Sequence, residues 1–303
     1  MVRPHREGRG VMGTPYQAVI LAAGLGSRLH TQTKAMPKAL LPLGPRSRID
    51  RTETCFLRRN IELLLDAGVA EIVVVVGWQR DLIIAAVEEW GLPVTLVVNT
   101  TPDIGQSGSL HSLQFAARSG HGVLDGRMQT IVMDADIVYH PRAVATLIEA
   151  PQQSSLLICE RFTGDGEEVL VYGSVAHPRF IGKSLTSNLV AGEPCLGEAT
   201  GIMKFAPADH ALCRETMDWM LGDPDAPEGS AAHKGFGPAR RATEHEELAG
   251  RMMAYGRMTS VRFGPDIPFM ECDNALDYKK VREAFYPCLL DLEAEEERAS
   301  SCR

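Results

Sequence analysis

Four short, mostly β-branched runs, Ala18–Leu21, Ile72–Val76, Val94–Val98 and Thr130–Met133, recur through the first 136 residues with helical periodicity between them. Apolar residues return every three or four positions over Cys55–Ala67, Asp81–Trp90 and Ser109–Ser119, and the three stretches stop at Gly68, Gly91 and Gly120. Strand–helix–strand units of this kind join parallel neighbours, so each sheet face must be covered by helices. The expected fold is α/β: a mixed, mostly parallel central sheet in an α/β/α, Rossmann-like sandwich. The second half loses the rhythm. Leu156–Cys159, Val169–Val175 and Ser260–Phe263 read as strands and Ala208–Leu221 and Ala242–Ala254 as helices, extending the same sheet and forming a lid. Between the two helices, 222–241 is rich in Gly, Pro and Ala without periodicity and reads as a long loop.

The chain's 303 residues, 45% hydrophobic and 23% charged, suffice for one large core. A formal net charge of -8 argues against a nucleic-acid surface, whose affinity comes from neutralising phosphates. The seven cysteines contain no CxxC pair and their count is odd, which suggests neither a disulfide framework nor a zinc site and points to a reducing cytoplasm. No run approaches the ~18 uncharged apolar residues of a membrane span. The leader MVRPHREGRGVMGTP lacks the apolar middle of a signal peptide. It reads as a disordered tail over residues 1–15, or as an early start with Met12 as the true beginning. The acidic tail 291–303 reads as a solvated, fraying helix end.

The first run opens into Leu21-Ala22-Ala23-Gly24-Leu25-Gly26-Ser27-Arg28, followed by Pro37-Lys38. Small residues at a strand end let backbone N–H groups approach an anion. The dinucleotide fingerprint fails because position 29 is Leu, and the Walker A pattern fails because Gly26 is followed by Ser27-Arg28. What remains is an amide nest with two fixed cations, Arg28 as a planar fork and Lys38 as a point charge, suited to a triphosphate. Lys34 reads as solvated. The competing interpretation is an ordinary βα turn with solvated cations.

This string resembles the signature of the nucleotidyltransferases that join a nucleoside triphosphate to a sugar phosphate or a small phosphorylated alcohol, over about Tyr16 to Leu290. The resemblance implies one domain over 16–290, with a nucleotide-binding half to Asp136 and an acceptor-binding half beyond it. It also implies that the loop and Arg28 wrap the triphosphate and that Lys38 reaches the phosphate under attack.

Asp134 and Asp136 close an apolar strand in QTIVMDADIVYHP, and hard carboxylate oxygens suit Mg²⁺. By resemblance Asp136 is the metal ligand and Asp134 its supporting partner; capping of the turn before Pro141 is the alternative. Downstream, FMECDNALDY resembles the family's late E-x-D-x-x-x-D motif. Asp273 then matches a second metal ligand, Glu271 stands near it and Asp277 falls in the first turns of a helix; the alternative for Asp273 is an N-cap. With Arg28 and Lys38, such a metal would hold the α-phosphate in line with an attacking oxygen, with no protein nucleophile. The nine histidines show no HExxH or clustered spacing and read as surface or core residues.

PDIGQSGSLHSLQ resembles the N-x-x-S-L stretch of bacterial phosphocholine cytidylyltransferases, with Ser109 standing where asparagine is frequent. Gln106, Ser109 and Ser112 can read a pyrimidine edge, while Ser107 or Ser109 equally suits a helix cap. By the same resemblance Lys183 in FIGKSL serves the acceptor's phosphate, and Glu198, in the E-x-x-G-I segment GEATGIMKF, meets a cationic acceptor group. A quaternary ammonium wants an aromatic cage, which a chain with 6% aromatic residues supports poorly. The leading expectation is transfer from CTP, with Mg²⁺, to a small phosphate or phosphonate such as phosphocholine or 2-aminoethylphosphonate. The rivals are a sugar-1-phosphate enzyme using UTP, dTTP or GTP and a non-catalytic nucleotide-binding regulator.

Overall fold

The computed structural model describes residues 14–29, 35–162, 168–221, 244–264 and 267–301. The expectations for the leader up to Gly13, Lys34, the 222–241 loop and Cys302 lie outside these residues, as does the side chain of Gln106. Strand β1 (Tyr16–Ala22) is followed by a small pair, β2 (Pro42–Pro45) and β3 (Glu53–Cys55), then α1 (Phe56–Asp66), β4 (Glu71–Val76), α2 (Arg80–Trp90), β5 (Thr95–Val98) and α3 (Ser109–Arg118). Next come β6 (Gln129–Asp134), β7 (Ile137–Tyr139), α4 (Pro141–Glu149), β8 (Ser155–Cys159), β9 (Leu170–Gly173), β10 (Pro178–Gly182) and β11 (Cys195–Phe205). The remainder is α5 (His210–Leu221), α6 (His245–Ala254), β12 (Thr259–Phe263), β13 (Phe269–Glu271), α7 (Ala275–Lys280) and α8 (Tyr286–Ser301).

One nine-stranded sheet runs through both halves in the order β10-β9-β11-β6-β1-β4-β5, with β8 also on β11 and β12 on β8. Strands β6, β1, β4 and β5 are parallel; β11 runs against β6, β8 and β9, so only β11 and β10 oppose the other seven. Both faces are covered. Ala18, Ile20 and Ala22 of β1 join Ile61 and Leu64 of α1, Ile83 of α2 and Leu147 of α4 on one side. Val19 and Leu21 meet Leu113 of α3, Met217 of α5 and Met252 of α6 on the other. The two-residue alternation of a strand thus feeds two cores, which is why β1 reads as a continuous apolar run. A third cluster, with Leu43, Phe56, Val138, Tyr286 and Leu289, packs α8 over β2 and β7.

The longest strand, β11, was not among the expected ones. Its CLGEATGIMKF carries two glycines and no alternation, and it exists because β6, β8 and β9 all bond to it. The acidic tail is also different from expectation. Helix α8 continues to Ser301, and its carboxylates are paired: Glu293 with Arg59, Asp291 with Arg48 and Glu296 with Arg142. These arginines lie roughly 150 to 240 positions away, so the charge run alone looks like a solvated end.

Candidate active site

The glycine loop forms where β1 stops. Gly26 takes φ +59°, its carbonyl accepts from the Leu29 N–H at 3.0 Å, and a single 3-10 turn over Ser27–Leu29 replaces a helix. Pro37 then leads a second 3-10 turn, Lys38–Leu40, which aims Lys38 back at the strand ends. Strand β6 lies beside β1, with Leu21 opposite Asp134, so the acidic segment ends next to the glycines.

Asp273 arrives by a different route. Strand β13 pairs with β7, placing Glu271 opposite Ile137, and the Cys272 N–H donates to the Asp136 carbonyl at 3.2 Å. The carboxylates of Asp136 and Asp273 therefore meet at one ammonium: Lys38 Nζ donates to Asp136 Oδ2 and lies 3.7 Å from Asp273 Oδ1. Arg28, 61% exposed, reaches in and grips Asp273 with both terminal nitrogens at 2.8 and 2.9 Å. Burial works to lower the Lys38 pKa, but Asp136 and Asp273 outweigh it and hold the group above its ordinary value. Burial pushes Glu271 up to about 8, helped by Asp136 and Asp273. Neither aspartate caps a helix: Asn274 is the N-cap of α7, with Asp277 completing its capping box, and His140 caps α4.

These groups share one cavity of about 630 Å³. Its wall includes Leu21, Ala22, Ala23, Gly24, Gly26, Ser27, Arg28, Lys38, Ser109, Ser112, Asp134, Asp136, Lys183 and Asp273, all expected from the sequence. Glu198 is not among the described residues that form this wall. Strand β11 sets it opposite Cys159 and Leu170, and the register shifts just beyond, at Ala199. Within the E-x-x-G-I segment it is the glycine whose structural requirement is visible. Gly201 takes φ +69°, and a Cβ there would stand 2.8 Å from Asp134 Oδ2 and 2.5 Å from Ile137 Cδ1, so only glycine lets β11 close over Asp134.

The two serines line the cavity with their hydroxyls already engaged. Ser112 Oγ accepts from Asn99 Nδ2 at 3.1 Å, and Asn99, at the end of β5, also binds Ser107 and Thr101. Ser109 Oγ donates to Glu244 Oε2 at 2.7 Å and accepts the His245 N–H at 2.8 Å. Helix α3 is capped at Gly108, so neither Ser107 nor Ser109 serves as its N-cap. Sequence reasoning missed the start of α6: Glu244, His245, Glu246 and Glu247 all face the cavity. A histidine set among acids was the available signal, but acids in a first helical turn read as dipole partners. Asp134 is pushed well above the ordinary carboxylate range by burial, then by Glu246 and Asp136.

The family described as MobA-like NTP transferase domain matches residues 18–196, more than half of the chain. The chain belongs to this family. Its match covers the glycine loop, Lys38 and Asp136 and stops as β11 begins, so Gly201, α6 and Asp273 lie beyond it. Among curated relatives, the CMP-5'-(3-aminopropyl)phosphonate synthase of Streptomyces rubellomurinus is 33% identical over 144 residues, 47% of this chain and 20% of that one. The CTP:phosphoglutamine cytidylyltransferase of Campylobacter jejuni is 29% identical over 141 residues, 46% of this chain and 51% of that one. The matches thus span from a fifth to about half the length of these relatives. Mannose-1-phosphate guanyltransferases match as well, that of Schizosaccharomyces pombe at 23% identity over 223 residues, 68% of this chain and 56% of that one. The solved inositol-1-phosphate CTP transferase of T. maritima superposes with TM-score 0.60 at 18% identity, covering 90% of this chain and 98% of that one; this likeness is one of fold. Among the described residues no helix is long and apolar enough to cross a membrane.

Proposed function

We propose that this MobA-like domain is a Mg²⁺-dependent cytidylyltransferase: it joins CTP to a small phosphate or phosphonate and releases pyrophosphate. The observation that carries the reading is the meeting of Asp136 and Asp273, 137 positions apart in sequence, at Lys38 beside the glycine loop. Their oxygens are the hard, anionic donors that Mg²⁺ prefers, and two carboxylates are what it usually takes from a protein at a phosphate site. When bound, such an ion supplies charge neutralisation to the triphosphate.

Arg28 and Lys38 pair with Asp273 and Asp136. A triphosphate in the loop competes for both cations and frees the carboxylates. The backbone N–H groups of Ala23 to Ser27 and the Arg28 fork then orient the β- and γ-phosphates, and Lys38 stabilises charge on the α-phosphate as the acceptor oxygen attacks. One P–O bond forms to the acceptor while the bond to pyrophosphate breaks, so positioning and charge suffice and no side chain need become covalently attached. Lys183, on the cavity wall and near enough to Glu271 to lower its pKa, is the proposed contact for the acceptor's own phosphate.

The base preference follows the relatives whose names carry CTP or CMP. No Phe, Tyr or Trp stands among the described residues of the cavity wall, which favours a primary amine or polar acceptor over a quaternary ammonium. Pyrophosphate release with Mg²⁺ and each of ATP, CTP, GTP and UTP, against 2-aminoethylphosphonate, phosphocholine and mannose 1-phosphate, tests the reading. CTP with the aminophosphonate is the expected pair. Turnover confined to GTP and the sugar phosphate replaces the acceptor and base assignments, and silence with every pair removes the activity.

A further inference from the structure

We infer that Asp134, His245 and Glu246 form a second cation site, separate from the Asp136 and Asp273 pair and suited to Zn²⁺ or a similar borderline divalent ion. One nitrogen or oxygen from each of the three lies within 4.8 Å of the others, and all three border the cavity.

The imidazole carries the argument. His245 is 1% exposed, and its Nε2 is buried with no hydrogen-bond partner. The ring's tautomer follows from its neighbours. Ser109 Oγ has a single proton and gives it to Glu244, so it can only accept from His245 Nδ1, 3.0 Å away, with Glu246 Oε2 at 3.3 Å from the same nitrogen. In the neutral imidazole Nδ1 therefore holds the proton and Nε2 presents its lone pair, the arrangement in which an outer hydrogen bond prepares a histidine to ligate. Glu246, which stands on the Nδ1 side, reaches an ion at Nε2 by rotation of its side chain.

That lone pair faces a carboxyl group. Asp134 Oδ2 lies 3.7 Å from Nε2, too long for a hydrogen bond. Two ligands at ~2.1 Å from one tetrahedral ion stand ~3.4 Å apart, whereas two acceptors around an ammonium at ~2.8 Å stand ~4.6 Å apart. The observed spacing is nearer the metal's. Among the described residues no Lys or Arg is within ion-pair distance of Asp134 or Glu246. One imidazole and two carboxylates favour Zn²⁺, Co²⁺ or Mn²⁺ over Mg²⁺, and three protein ligands leave a position open to the cavity.

The test is Co²⁺ uptake by the full chain, stripped of metal, in an Asp273→Asn background that disables the other carboxylate pair. One bound equivalent with visible absorption of a nitrogen-containing site is expected. Glu246→Gln and His245→Gln should each weaken uptake at least about tenfold, and Ser109→Ala, which releases Nδ1, by about tenfold. Circular dichroism establishes that each variant is folded, and Glu246→Gln carries the test should His245→Gln unfold. Unchanged uptake in a folded Glu246→Gln or His245→Gln variant, or no uptake by the folded parent, overturns the site. No nucleotide or acceptor is present, so this result stands apart from the outcome of the transfer assay.

Discussion

At Gly201 the requirement for glycine has two sources, a left-handed φ of +69° and the approach of Asp134 and Ile137. Gly201→Ala is expected to cost about 1–3 kcal/mol in urea unfolding. Gly24 is the contrast: a Cβ there meets nothing within 4 Å and points into open space beside the cavity. Gly24→Ala should keep stability within about 0.5 kcal/mol and raise the KM for nucleotide, a split that an ordinary turn glycine would not produce. Asp136→Ala is expected to lower kcat at least about a hundredfold while the protein stays folded, since Lys38 retains Asp273. A near-normal rate in that variant would remove Asp136 from the chemistry. The glycine loop was legible because its message is local, held in backbone size and spacing. The roles of Gly201 and His245 were not, because each is defined by a residue from another element.

Among the elements, α8 shows how far charge patterns mislead when read alone. Arg59 on α1 is 8% exposed, donates to the Tyr139 carbonyl at 3.0 Å and pairs with Glu293, its guanidinium 5.2 Å from the Tyr286 ring. A charge so placed is costly to leave alone. Glu293→Ala should destabilise the fold by about 3 kcal/mol, and a double-mutant cycle with Arg59→Ala should return a coupling of about 1–3 kcal/mol in chemical denaturation. Additive losses would mean that α8 is a passive tail after all. Helix α4, which was not among the expected helices, carried one readable signal, Pro141 at its first position. Strand β11 did not, since its formation depends on partners that precede it by about 25 to 75 positions.

At the scale of the whole molecule, the sheet's interior holds one charge that sets a pH dependence. Lys204 on β11 is fully buried and donates to the Leu147 and Ala150 carbonyls at the end of α4. Burial pushes its pKa down to about 8 from 10.5. Between about pH 8 and 10.5 the unfolded chain therefore holds the extra proton, and stability rises with pH across that window. Below it Lys204 is charged in both states and carries its full burial cost, ~3 kcal/mol. Relative to Lys204→Met, the wild type should gain ~2 kcal/mol between pH 7 and pH 10, measured by urea unfolding at each pH; parallel curves would show that Lys204 is already neutral, or not strained, at pH 7.

By itself the sequence determined the βαβ units up to Asp134, the two-faced burial of β1 and β4 and the bare loop after β1, because each rests on periodicity and backbone bulk within about ten residues. Only the tertiary structure decided which distant groups meet. The antiparallel entry of β11 beside β6 closes a glycine over Asp134, the β13–β7 pairing carries Asp273 to Lys38, and Ser109 pins the start of α6 so that His245 faces the cavity. Those meetings depend on strand order and register, which arise from packing between elements and leave no periodic trace in any one of them.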